Sequence, residues 1–294
     1  MMIKDSQKNN FLSFPLYMSG AIIQQYHGAE AGAEHAYEHG YTHWYIDGAN
    51  KEDRPSEWSS ERIKNMRNKI QELGVSPVFH GNFKAPLASD VPELRKAALE
   101  YLKTEIDLSA ELGAPVILHG GGIVEPRSVK EAIEQALEGY VETIQEAMSY
   151  AQSKGVELWL ENLSNYQRFH PFYYVFTNIK HYRYVLDRVP GIKMIFDVCH
   201  ETVGGGDPLA VFNELHDRIA AFSFSDTDGT RDSHWPLGKG KIDWNGLTKC
   251  IVEKDWHGLV AFETRNVEPK ENIQFVNALY DSNVLPENAV PEVV

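Results

Sequence analysis

The chain has 294 residues, 43% of them hydrophobic and 24% charged, enough apolar material for a large buried core and too much for a disordered polymer. Its 28 Lys+Arg against 42 Asp+Glu leave a formal charge of −14, which argues against a protein that grips nucleic acid through a basic face or lies on an anionic membrane. Two cysteines, Cys199 and Cys250, exclude a disulfide framework or Cys-rich zinc ribbon, and no membrane-length apolar run or signal-peptide stretch occurs, so a cytoplasmic protein is expected.

In chain order, eight apolar runs of strand length are expected at residues 14–19, 43–47, 75–80, 115–119, 157–161, 193–197, 220–225 and 259–263. Several, such as PVILH, KMIFD and LVAFE, are apolar on both sides of the pleat, as parallel strands covered on both faces are. Helical periodicity fills the intervals. One helix carries Leu94, Ala98, Leu102, Ile106 and Ala110 at four-residue spacing, with Asp90 as its expected N-cap and Pro92 in its first turn; another covers 128–154. Gly74, Gly113, Gly155, Gly191 and Gly258 each precede a strand, consistent with one device, a glycine closing the preceding helix. Eight such units predict an α/β protein, a single (β/α)8 TIM barrel, and no GxGxxG follows the first strand to suggest a doubly wound sheet. One domain is expected over residues 1–294, with 1–12 and 285–294 as loosely held tails.

Active sites of such barrels form at the C-terminal strand ends. Those ends carry His80 (VFHGNF), His119 (VILHGGG), Glu161 (LWLEN), Asp197 with His200 (IFDVCH) and Glu263 (AFETR), while the loop after the seventh run holds Asp232 and His234 (DSHWPLGKG). Unpaired charges on apolar walls are costly, so a shared cation is expected among them. Oxygen and nitrogen donors without sulfur suit Zn²⁺, Mn²⁺, Co²⁺, Fe²⁺ or Mg²⁺, and the imidazoles lean toward the transition ions. The histidines at 27, 35, 39, 43, 170, 181, 216 and 257 are assigned surface or structural roles, with His170 placed to overhang the site.

At these residues the chain resembles the xylose-isomerase-like barrel superfamily, which joins metal-dependent sugar isomerases and epimerases with the endonuclease IV (AP endonuclease family 2) group of zinc DNA-repair enzymes. The resemblance spans about residues 14–266. The endonuclease IV pattern implies nine ligands around three zinc ions, and eight match in order: His80, His119, Glu161, Asp197, His200, Asp232, His234 and Glu263. The ninth, a strand-seven histidine, falls on Ser223 in AFSFSD. In the isomerases and epimerases, the resemblance implies one metal held by Glu161, Asp197, Glu263 and that same missing histidine. A water, Asp226 or His234 is left to complete the shell. The expected cofactor is therefore a divalent ion, Zn²⁺, Mn²⁺ or Co²⁺, one per chain in the isomerase pattern and up to three in the multinuclear one.

The function implied is a metal-dependent sugar or sugar-phosphate isomerase or epimerase, with Glu161 and Glu263 moving protons through a metal-stabilised enediolate. His80, His119, His200, Arg265 and Trp235 are the candidates for substrate contact. Two alternatives stand beside it: an endonuclease IV-like multinuclear zinc phosphoesterase, opposed by the acidic charge, and a noncatalytic sugar-binding barrel. The expected partner is a small-molecule sugar or sugar phosphate, with neither nucleic acid nor membrane. Barrels of this group often form homo-oligomers, and no sequence feature here fixes an interface.

Overall fold

A computed structural model of the chain describes residues 12–24, 27–121, 129–167 and 173–284. His170, residues 1–11 and residues 285–294 lie outside the described residues. Eight strands, β1 (Met18–Ile23), β2 (His43–Asp47), β3 (Ser76–His80), β4 (Val116–His119), β5 (Leu158–Glu161), β6 (Lys193–Asp197), β7 (Ile219–Phe224) and β8 (Gly258–Phe262), follow one another around a closed parallel barrel. Hydrogen bonding between β1 and β8 completes the circle. Around it run α1 (Ala29–Glu38), α2 (Ser60–Leu73), α3 (Pro92–Leu112), α4 (Val129–Lys154), α5 (Ile179–Arg188), α6 (Val198–Val203), α7 (Pro208–Leu215), α8 (Trp244–Glu253) and α9 (Pro269–Val284). The (β/α)8 architecture expected from the sequence is the one observed, and among the described residues no helix is long and apolar enough to cross a membrane.

Three local expectations are corrected. The first strand begins at Met18 rather than at residue 14, because Pro15 has no N–H to give a ladder and instead its carbonyl accepts from Met18 N at 2.9 Å in a turn. The α3 N-cap is Val91, not Asp90; Ser89 Oγ accepts the Val91 N–H at 3.1 Å, while Pro92 opens the helix as expected. Gly74 and Gly113 do close α2 and α3 at φ +67 and +72, whereas after α8 Asp255 takes the left-handed position at φ 49. Gly258 instead answers to space: a Cβ there would lie 2.5 Å from the Ala220 carbonyl oxygen.

Two apolar layers follow from the period-two alternation of side chains along each strand. Residues such as Trp44, Phe79, Leu118, Leu160, Phe196, Phe222 and Val260 face outward into the main core with the helices. A second cluster draws one residue from every strand: Ile22, Tyr45, Val78, Ile117, Trp159, Ile195, Ala221 and Ala261. These fill the barrel interior as a floor.

Candidate metal and catalytic centre

Two residues beyond each member of that floor, the same inward face recurs, and there the chemistry of the side chains changes completely. The positions are Gln24, Asp47, His80, His119, Glu161, Asp197, Ser223 and Glu263. Strand register makes Asp47 the partner of His80, His119 of Glu161, and Asp197 of Ser223. Asp47 and Gln24 were missed in the sequence. Asp47 carried the same signal as the others, an acid at the end of an apolar run, whereas Gln24 was hidden by the misplaced first strand.

Distances show how tightly the ring closes. His119 Nε2 lies 3.2 Å and His80 Nε2 3.6 Å from Glu161 Oε2, and His80 Nδ1 lies 3.6 Å from Asp47 Oδ1. Asp197 caps α6: its Oδ1 accepts the His200 N–H at 2.6 Å, which draws His200 back over the barrel to 3.6 Å from Asp197 Oδ2 and 3.8 Å from Glu161 Oε1. His200 Nδ1 also lies 2.8 Å from the Asn162 carbonyl oxygen, so a proton there leaves Nε2 facing Asp232 at 3.5 Å. Buried Asn162, another residue the sequence did not single out, clamps the Asp197 backbone by accepting its N–H at 2.8 Å and donating to its carbonyl at 2.9 Å.

The loop after β7 brings in the remaining pair. His234, at φ 48, sets Nε2 2.9 Å from Asp232 Oδ2 and Nδ1 2.6 Å from the Glu263 carbonyl oxygen. Asp226 does not complete a metal shell. Its fully buried carboxylate accepts from Thr227 N, Gly238 N, Ile242 N and Trp244 Nε1, and so organises the loop itself. Trp235 is half-buried and pairs both backbone groups with Asp226 at 3.0 Å. Exposed Arg265 donates its backbone N–H to His234 and lines a cavity of about 570 Å³ with Gln24 and Glu268. All ten residues proposed from sequence thus sit at one end of the barrel, eight in the ring and its loops, Trp235 and Arg265 at its rim.

Burial and mutual charge divide the acids. Burial pushes Glu263 up to about 7, with Glu161 and Asp197 adding to the effect, and burial pushes Asp197 to about 6. Burial acts on Glu161 in the same direction, but His119 and His80 outweigh it and hold this carboxyl well below its usual range. Burial lowers His119, while Asp47 and Glu161 overcome the same burial at His80 and raise it well above its ordinary value. Asp232 overcomes burial at His234 and lifts it to about 9.

The donor set fits a divalent cation. Glu161 Oε2, Asp197 Oδ2, Glu263 Oε1, Ser223 Oγ, His80 Nδ1 and His119 Nδ1 are all buried without a hydrogen-bond partner, a concentration that protein interiors avoid unless another group satisfies them. Ligand atoms of His80, His119 and Glu161, and again of Glu161, Asp197 and His200, fall within 4.8 Å of one another. Nitrogen and carboxylate donors without thiolate match Zn²⁺ or Mn²⁺.

A parallel eight-stranded barrel with carboxylates and imidazoles ringing the C-terminal mouth defines the class as that of metal-competent TIM barrels. More particularly, the chain belongs to the xylose isomerase-like TIM barrel family, whose profile matches residues 33–279. It is similar to fructoselysine 3-epimerase of Shigella flexneri, 24% identical over 197 residues that cover 65% of this chain and 67% of that one. A probable endonuclease 4 of Thermoplasma acidophilum is 26% identical over 214 residues, covering 66% and 70% of the two chains. Among solved structures, a D-tagatose 3-epimerase-like protein superimposes with a TM-score of 0.77 at 19% identity, over 90% of this chain and 100% of that chain, which shows the shared fold.

Proposed function

We propose that the chain is a metal-dependent epimerase or isomerase of a ketose or ketose phosphate. One observation carries this: Glu161 and Glu263 occupy the same interior layer three strands apart, one held ionised by two histidines and the other held near neutrality by burial. A base and an acid on different sides of a carbon chain are what moving a proton from one face to the other requires. The names of the relatives supply a substrate class, since a 3-epimerase of a 2-ketose inverts the carbon next to the carbonyl, where the C–H bond is most acidic.

Glu161, Asp197 and His200 would hold the ion, with Glu263 and His234 adjoining. A divalent ion bound there would supply Lewis-acid polarisation of the substrate oxygens. Glu161 would take a proton from the substrate carbon, and Glu263, three strands away in the same layer, would return one to the opposite face or to the neighbouring carbon. His119, His200 and Trp235 orient hydroxyls and pack against the sugar, and Arg265 at the rim receives a phosphate or terminal hydroxyl. Asp232 keeps His234 beside Glu263.

Incubation of candidate ketoses in heavy water with Mn²⁺ tests the proposal: deuterium should enter carbon 3, and Glu263→Gln should slow exchange by roughly 10²- to 10⁴-fold with unchanged circular dichroism. Exchange at the wild-type rate in that variant would remove Glu263 from the chemistry. A zinc phosphoesterase is the alternative, favoured by the sharing of Glu161 between two ligand triads. Cleavage of an abasic-site duplex, with no exchange into any ketose, would establish that alternative.

A further inference from the structure

Helix α1 carries a second group of metal-competent side chains, outside the barrel mouth. The segment reads His35-Ala36-Tyr37-Glu38-His39, and residues three and four apart on a helix share one face. One ligand atom from each of His35, Glu38 and His39 lies within 4.8 Å of the others. The His35 and His39 rings stand 4.2 Å apart, and His27 approaches the His35 ring at 4.9 Å.

Two further observations point to a ligand. His39 Nδ1 lies 2.9 Å from the His35 carbonyl oxygen; a proton held there leaves Nε2 as the free donor, the arrangement usual for metal-binding imidazoles. His35 Nε2 is buried with no hydrogen-bond partner, a deficit that a coordinated ion removes.

We propose that His35, Glu38 and His39 form a binding site for a divalent transition ion of the zinc type, distinct from the barrel centre, with His27 supplying the next imidazole. Two nitrogens and a carboxylate are a common zinc set, and bonds of about 2.0–2.1 Å bring tetrahedral ligand atoms to about 3.4 Å apart. Glu38, exposed and free to change rotamer, can make that closure. The site's use follows from the helix it sits on. The buried face of α1 is only Ala29, Gly32, Ala33 and Ala36, which remove little apolar surface from water. His39 is the C-cap of α1, and His27 stands immediately before its N-cap, Gly28. An ion bound by His35, Glu38 and His39 and reached by His27 would tie the last turn of α1 to the segment before its N-cap.

Counting Zn²⁺ per chain by equilibrium dialysis tests this. The wild type should bind one ion more than the His35→Gln/His39→Gln double variant, whose epimerase or exchange activity should be unchanged. Glu38→Gln should keep the ion but bind it at least roughly 10-fold more weakly, the loss that even an outer-shell change produces. On the unaltered chain, saturating Zn²⁺ should shield His39 from diethyl pyrocarbonate, read by peptide mapping. Equal ion counts in wild type and double variant, or an unshielded His39 at saturating Zn²⁺, would overturn the proposal.

Discussion

Glu161 and Glu105 are both buried carboxyls, and what separates them is the partner each one faces. Two imidazoles lie against Glu161, so its charge is favoured. Glu105, on α3, accepts the Asn82 N–H at 3.0 Å, and burial outweighs that bond and the nearby His80 and pushes it up to about 7 from 4.5. A raised carboxyl contributes stability that is fully present below the unfolded value and is lost as pH rises through the folded one, here between about 4.5 and about 7. Glu105→Gln keeps an acceptor for Asn82 and removes the ionisation. It should stabilise the fold by about 2–3 kcal/mol at pH 8 and change it little at pH 4. Urea denaturation at the two pH values measures the difference; a gain equal at both would mean that shape, not charge burial, governs the position.

At the scale of elements, the segment between β7 and α8 depends on one buried acid. Asp226→Ala leaves the N–H groups of Thr227 and Gly238 and the indole of Trp244 without their acceptor, a loss of about 3 kcal/mol or more. Because the same loop presents Asp232 and His234 to Glu263, Mn²⁺ affinity should fall together with stability. Calorimetric titration and denaturation would reveal a different origin if stability dropped while affinity stayed at the wild-type value. Elements of this kind explain how much the sequence disclosed. Seven strands were legible as apolar runs of strand length, six of them ending in an ionisable residue, and that ending also marked His80, His119, Glu161, Asp197 and Glu263. The first strand was not, since MSGAII is led by small residues and the bulkier Phe14-Pro15-Leu16 drew the assignment upstream. Asp226 was read as a spare ligand because a sequence shows an acid's position and not the four donors already pointed at it.

For the molecule as a whole, the barrel encloses a site whose protons and metal compete. Without an ion, burial holds protons on Glu263 up to about 7 and on Asp197 up to about 6, and neighbouring acids overcome burial to hold them on His234 up to about 9 and on His80 and His200 well above their ordinary value. Each of these raised groups gives stability that is present at low pH and lost as pH rises through its folded value. A divalent ion needs the same groups deprotonated, so its affinity grows over that same interval. At 100 times its dissociation constant, an ion adds about 2.7 kcal/mol, which for a chain of this size is roughly 4–5 °C in melting temperature. In the His35→Gln/His39→Gln background, where only the barrel centre contributes, the Mn²⁺-induced rise in melting temperature over an EDTA control should therefore be small at pH 5.5 and several-fold larger at pH 8. Histidines lowered by burial elsewhere, such as His43 and His181 at about 4, affect both samples alike and cancel in the difference. A rise that stays constant across this range would place the ion on groups that hold no protons, and hence away from the ring of Glu161, Asp197 and Glu263.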